Sequence, residues 1–312
     1  MISSVFGKTK PINYIIVLVF LFTFYSLVHF FLLDQQVTSA QFLTKTLVLA
    51  VLLFSVFLIH FIVSRNKITE GNSYAILFFA VLVVLFPESI ADRNAILCNF
   101  FMLLAIRRII SIKSLKEVKH KVFDATLWIL IASLFYDWAL MYLVLVFIAI
   151  YFYDAKNIRN WTVPLVSVAT FLLLIVAIMM LTGNQNFLRA HYVFSLSLPA
   201  GYFFDWVQSL KWMLYFLCMS SIGITVFSKT AKLGLGRIMM LRLLVVFFYL
   251  GMMLHFLETE NPGAPLMLTF FPAAIFLNNF IDTLKKPRIK ELALTAFTLI
   301  PFLVFVWNIA FP

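Results

Sequence analysis

The sequence predicts an all-α fold, a polytopic bundle of about eleven transmembrane helices forming one integral membrane domain over residues 1–312, and three observations carry that prediction. The chain is 63% hydrophobic and only 12% charged, against about 25% charged in a soluble domain. Its apolar residues fall in long runs separated by short polar gaps. Lys and Arg crowd into alternate gaps, which is the pattern of cytoplasmic loops in a membrane protein. A soluble chain of this length would bury about three quarters of its unfolded surface and still need a polar shell, so the apolar excess must face lipid.

A helix that crosses the hydrocarbon needs about 20 apolar residues at a rise of about 1.5 Å each. By that measure the spans lie near 12–33, 43–63, 74–87, 95–110, 122–136, 138–153, 161–181, 211–228, 243–257, 265–281 and 292–311. The first run exceeds the roughly 7–15 apolar residues of a signal peptide and is read as an uncleaved span. Of 24 Lys and Arg, only Lys45, Arg93, Arg189 and Lys211 fall on the other side when the N-terminus is cytoplasmic, which leaves 20 inside. An odd number of spans then puts the C-terminus outside.

As a single helix, residues 123–153 would be about 46 Å long, too long for a hydrocarbon core of about 30 Å. A hairpin returning at Asp137 is expected instead, with arms of about 22 Å. The third and fourth spans are equally short and turn at Pro87, Glu88, Asp92 and Arg93. Charge at membrane depth needs protein or water around it, so two short hairpins predict a recess open to the outer face. In the long connection 182–210, Phe203, Trp206, Val207 and Leu210 recur at helical spacing opposite Asp205, Gln208 and Ser209, which predicts a helix lying at the outer interface. The basic stretch 107–121 interleaves Ile109, Ile110 and Ile112 with cations, as a helix on an anionic leaflet would.

The net charge of +11 belongs to these loops and not to a solvated stripe, which excludes a nucleic-acid partner. No Gly-rich phosphate loop, HExxH, GxSxG or paired CxxC occurs, and nothing in the sequence points to a cofactor or a metal. What remains is a group of polar residues on the outer side. Asp34, Glu88 and Asp92 are the candidate catalytic carboxylates, able to act as a general base, and Arg93, Asp137, Arg189 and His191 are the candidate substrate-binding groups. Partners implied directly are membrane lipids.

From Ser3-Ser4-Val5-Phe6-Gly7-Lys8 through Asn94-Ala95-Ile96-Leu97-Cys98-Asn99-Phe100-Phe101 and Phe123-Asp124-Ala125 to Ala132-Ser133-Leu134-Phe135-Tyr136, the chain resembles an uncharacterised family of bacterial inner-membrane proteins. That resemblance implies a location and no activity. The layout, with an acid ending the first span, short central hairpins and an outer interfacial helix, is similar to that of GT-C membrane glycosyltransferases. The similarity implies a polyprenyl-phosphate-linked sugar as donor and Asp34 as the positional match to the catalytic base. The first outer connection, 34–42, is much shorter than the catalytic loop of that family. A non-enzymatic subunit of an envelope assembly fits the same Phe-rich bundle, and a transporter or flippase would call for broken helices that Gly223 and Gly251 alone scarcely supply.

Overall fold

The computed structural model describes residues 2–32, 39–194, 206–230, 234–257 and 264–310, and among them every regular element is helical. A short α1 (Ile2–Phe6) precedes α2 (Pro11–Leu27), which runs on into a π turn at Val28–Leu32. There follow α3 (Ser39–Asn66), α4 (Tyr74–Leu85), the one-turn α5 (Glu88–Ala91), α6 (Arg93–Ser111), α7 (Val118–Ala132), α8 (Leu143–Asp154), α9 (Ile158–Thr182) and the short α10 (Phe187–His191). The chain closes with α11 (Trp206–Thr230), α12 (Leu235–Leu257), α13 (Met267–Thr283) and α14 (Pro287–Ala310). Each of the eleven apolar runs coincides with a helix. Among the described residues eight helices are long and apolar enough to cross a membrane, whereas α4, α7 and α13, with 12, 15 and 17 residues, are shorter.

The hairpin at Asp137 is present. α7 stops at Ala132, the backbone at Tyr136 is extended, and a 3-10 turn at Asp137–Tyr142 leads into α8. Two sequence expectations need correction. Trp206, Val207 and Leu210 begin α11 and do not form a separate interfacial helix, since the same apolar period continues unbroken into the long helix. Phe203 and Asp205 of that motif lie outside the described residues. The stretch 107–121 is likewise no surface helix: α6 ends at Ser111, a 3-10 turn spans Ile112–Ser114, and Leu115 and Glu117 reverse the chain at φ +54° and +50°. Ile109, Ile110 and Ile112 are fully buried in protein, because this end of α6 packs between α3 and α7.

Contacts between the connections sort them into two ends. At one, the basic end, Lys113 Nζ donates to the Asn66 carbonyl at 3.2 Å, Ser73 N to the Phe6 carbonyl at 2.9 Å and Lys229 Nζ to Thr283 Oγ1 at 3.3 Å. At the other, the hairpin end, the turns around 88–92 and 133–142 meet each other and the start of α11. Between the ends, α4 and α13 form the centre. They pack against each other, α4 also against α14, and α13 against α11 and α12. Phe78, Phe79, Phe270 and Phe271 are fully enclosed there.

One close approach depends on a missing side chain. A Cβ on Gly251 of α12 would lie 2.7 Å from Thr269 Cγ2 and 2.8 Å from the Tyr142 hydroxyl, so glycine lets α12, α13 and the 3-10 turn before α8 touch. Thr269 Oγ1 shares a 2.7 Å hydrogen bond with the Tyr215 hydroxyl of α11, which joins a fourth element to the same point.

Candidate functional site

At the hairpin end, Pro87 follows α4 directly and lacks the N–H to continue it, so the chain makes one turn at α5 and restarts at Asp92. Asp92 has extended backbone and caps α6. Its Oδ1 accepts from Asn94 N at 2.8 Å, satisfying one of the free amides at the helix start. Its Oδ2 accepts from the Tyr136 hydroxyl at 2.6 Å, 44 residues away. The Asp92 carboxylate therefore ties one short hairpin to the other.

The second hairpin extends the connection. His191 Nε2 donates to the Ser133 carbonyl at 2.8 Å, which fixes the proton on Nε2, and Ser133 Oγ shares a 2.8 Å hydrogen bond with the Tyr192 hydroxyl. Asp137 Oδ1 accepts from Trp138 N at 2.7 Å. Burial raises the Tyr192 hydroxyl above its usual pKa, and the nearby negative charge of Asp137 adds to the shift. Asp92, Asp137 and His191, chosen from sequence as separate loop residues, thus converge on the single turn 133–137. Arg93 and Arg189 are exposed at the rim and take no part in an ion pair among the described residues. Asp34 lies outside the described residues; the π turn at Val28–Leu32 packs against α5.

Glu88 looks elsewhere. Its Oε1 pairs with Lys211 Nζ at 3.0 Å, and the ammonium also sits 4.8 Å from the centre of the Phe86 ring. This pair stands at the mouth of a groove of about 570 Å³ bounded by α4, α11, α13 and α14. Leu85, Lys211, Trp307 and Asn308 line the end nearest the hairpins, and Met219, Leu277 and Phe297 the other end. From Lys211 to Met219 is eight residues, about 12 Å along α11, so the groove runs from the hairpin end to near mid-bundle. Its wall is almost wholly apolar, and Pro301, which cannot donate to the Phe297 carbonyl, forms part of it. Such a shape fits one hydrocarbon tail with a polar head at Lys211.

Sequence reading counted Lys211 only as a topological exception. Its partner is 123 residues distant, and no local spacing announces the pair. A second network was missed altogether. At the basic end, Asn278 Nδ2 donates to Asn72 Oδ1 at 2.8 Å, Asn72 Nδ2 donates to both oxygens of Asp282 at 3.0 and 3.2 Å, and Arg237 Nη2 donates to Asn279 Oδ1 at 2.8 Å. Lys290 Nζ lies 3.7 Å from Asp282. The available signal was the adjacent pair Asn278-Asn279 inside an apolar run, where uncharged amides are costly unless paired. Among the described residues no group of three His, Cys, Asp or Glu side chains is placed to hold a metal ion.

Comparison of the chain with protein-family models, curated proteins and solved structures gives no match.

Proposed function

We propose that this is a multi-pass protein of a bacterial inner membrane, crossing eleven times with its basic end in the cytoplasm, that takes the tail of a polyprenyl-phosphate-linked sugar into the α4–α11–α13–α14 groove and transfers the sugar at the hairpin end. The observation that carries this reading is the apolar groove of about 570 Å³ with a Lys–carboxylate pair at its mouth. The distribution of Lys and Arg supports the orientation. Of the GT-C-like layout, the short central hairpins support the reaction class.

In this reading the tail lies along Met219, Leu277 and Pro301, and Lys211 exchanges Glu88 for the lipid phosphate. A freed Glu88 carboxylate takes the proton of an acceptor hydroxyl as the acceptor oxygen bonds to the anomeric carbon. The sugar–phosphate C–O bond breaks, and the lipid phosphate leaves with that electron pair. Asp92, held by Tyr136 and the α6 amide, positions the hairpin and is not the base.

Binding of radiolabelled polyprenyl phosphate to the purified protein in nanodiscs tests the groove. Leu214→Trp, which fills it, removes binding, and Lys211→Gln weakens binding about tenfold, the worth of one charge-assisted contact. Glu88→Gln retains binding but loses transfer by about 10² to 10⁴ in rate. Unchanged affinity in Leu214→Trp defeats the groove, whereas lipid binding without any sugar transfer by the native chain points to a lipid-binding subunit without chemistry.

A further inference from the structure

A second groove lies on the opposite flank of α11, at the other end of the bundle. It encloses about 530 Å³ between α11 and α12, with Phe152 and Phe276 behind it, and it shares Met219 with the first groove. From Ser228 to Met219 is nine residues, about 14 Å, or roughly half the thickness of a hydrocarbon core. One groove thus serves each half of the bundle.

The mouth of the second groove is cationic. Arg242 lines it, exposed, with its guanidinium 5.9 Å from the centre of the Phe227 ring and with no ion pair or hydrogen bond among the described residues. Lys229 and Arg237 flank the same end, where among the described residues their donors reach only the neutral oxygens of Thr283 and Asn279. Arg242 is also set back from the end of its helix. It stands seven residues after Leu235, about 10 Å along an α12 that is about 34 Å long and so exceeds the hydrocarbon core. The apolar run 243–257 begins directly after it, so its guanidinium stands at the level of the lipid phosphates. Deeper in the groove the polar groups satisfy each other, the Tyr249 hydroxyl donating to Ser220 Oγ at 3.4 Å, so the remaining wall is apolar.

An apolar slot half a membrane long, with an uncompensated guanidinium at headgroup level, matches one molecule: a phospholipid with a net negative head. We infer that the α11–α12 groove is a binding site for an anionic phospholipid of the leaflet at the basic end, its phosphate on Arg242 and one acyl chain reaching toward Met219. The site is separate from the groove at the hairpin end and uses none of its polar groups.

The test reconstitutes the full chain in nanodiscs with either phosphatidylglycerol or phosphatidylcholine carrying a photoreactive diazirine in the acyl chain. Labelling of the groove peptides of α11 and α12 is compared with labelling of the lipid-facing Leu172–Leu174 stretch of α9, which reports bulk lipid. For the native chain, the preference for phosphatidylglycerol over phosphatidylcholine in the groove exceeds that on α9 by about tenfold, the worth of one charge-assisted contact. In Arg242→Gln the preference falls to the α9 value while labelling of both lipids persists. Gly223→Leu supplies a second variant: a Cβ at 223 meets Phe276 at an ordinary 3.8 Å, and position 223 lines the groove, so the added side chain takes up groove volume. Groove labelling then drops for both lipids. A native chain with equal preference in groove and on α9, an Arg242→Gln chain that keeps the preference, or a Gly223→Leu chain that keeps the labelling would each overturn the site.

Discussion

α13 and α9 are both long stretches of apolar sequence, yet they occupy opposite environments. In α13, fourteen of 17 residues are buried, among them the polar Thr269, Asn278 and Asn279. In α9 only five of 25 are buried, and Leu173, Met180 and Leu181 are 74%, 74% and 87% exposed. Hydrophobicity does not separate the two, because lipid tails are as apolar as leucine and exert no preference for burying it. Small and polar residues do. The interior of this bundle holds Gly251, Thr269, Asn72 and Asn278 beside its apolar residues, whereas the exposed face of α9 is leucine, isoleucine, valine and methionine.

The largest expected effect comes from crowding the centre. Gly251→Leu forces atoms into Thr269 and the Tyr142 hydroxyl and removes the protein from the membrane fraction, while Gly251→Ala costs about 3 kcal/mol, the upper range for overpacking, read as a lowered midpoint of unfolding in detergent. Gly223→Ala, whose new Cβ would touch Phe276 at an ordinary 3.8 Å, leaves that midpoint unchanged and serves as the control. Asn72→Leu strips partners from Asn278 and Asp282 together and destabilises by about 2 to 3 kcal/mol, since buried polar groups are left unpaired. A midpoint equal to that of the native chain would mean the amide network contributes nothing.

Smaller effects sharpen the contrast. Tyr136→Phe deletes the hydroxyl that bonds Asp92 and costs about 1.5 kcal/mol, as for a hydrogen bond to a charged group. Its local signature is faster proteolysis or hydrogen exchange in the 133–142 turn, with the basic end unaffected. At the bottom of the scale, Leu173→Ala on α9 exchanges one lipid-facing apolar side chain for a smaller one and stays within about 0.5 kcal/mol. A cost as large as that of Gly251→Ala would show that α9 is covered by another protein surface.

What could be read from sequence follows the same division. Run length located the long helices among the described residues, though not α1, α5 or α10, and the length of 123–153 with its basic flanks demanded a turn at Asp137 although no Gly or Pro marks it. Periodicity misled at Trp206–Leu210, where one amphipathic turn looks the same whether it lies on the interface or opens a long helix. The outer candidates were only partly legible. Asp92, Asp137 and His191 meet at Ser133–Asp137 because hairpin turns crowd together at one end, which topology implies. The Glu88–Lys211 pair and the groove behind it depend on how α11 packs against α4, a long-range choice with no local mark in either segment. Asn278 and Asn279 were visible as uncharged amides in an apolar run, but their importance appears only when Asn72 and Asp282 arrive beside them.

The α1 segment at the basic end carries a consequence for how the protein is made. Ile2 N and Ser3 N donate to the two carboxylate oxygens of Glu291 at 2.6 and 3.2 Å, across 289 and 288 residues of chain. Residues 2 and 3 are made 288 to 289 residues before their clasp, an interval of about 15 to 60 seconds at typical rates of roughly 5 to 20 residues per second. Until Glu291, near the start of α14, has been made, α1 has no anchor on that side, so this contact closes only after the helices from α2 to α13 have been synthesised. A nascent or truncated product lacking α14 would therefore display an unclasped α1 to the proteases and chaperones that meet unfinished membrane proteins.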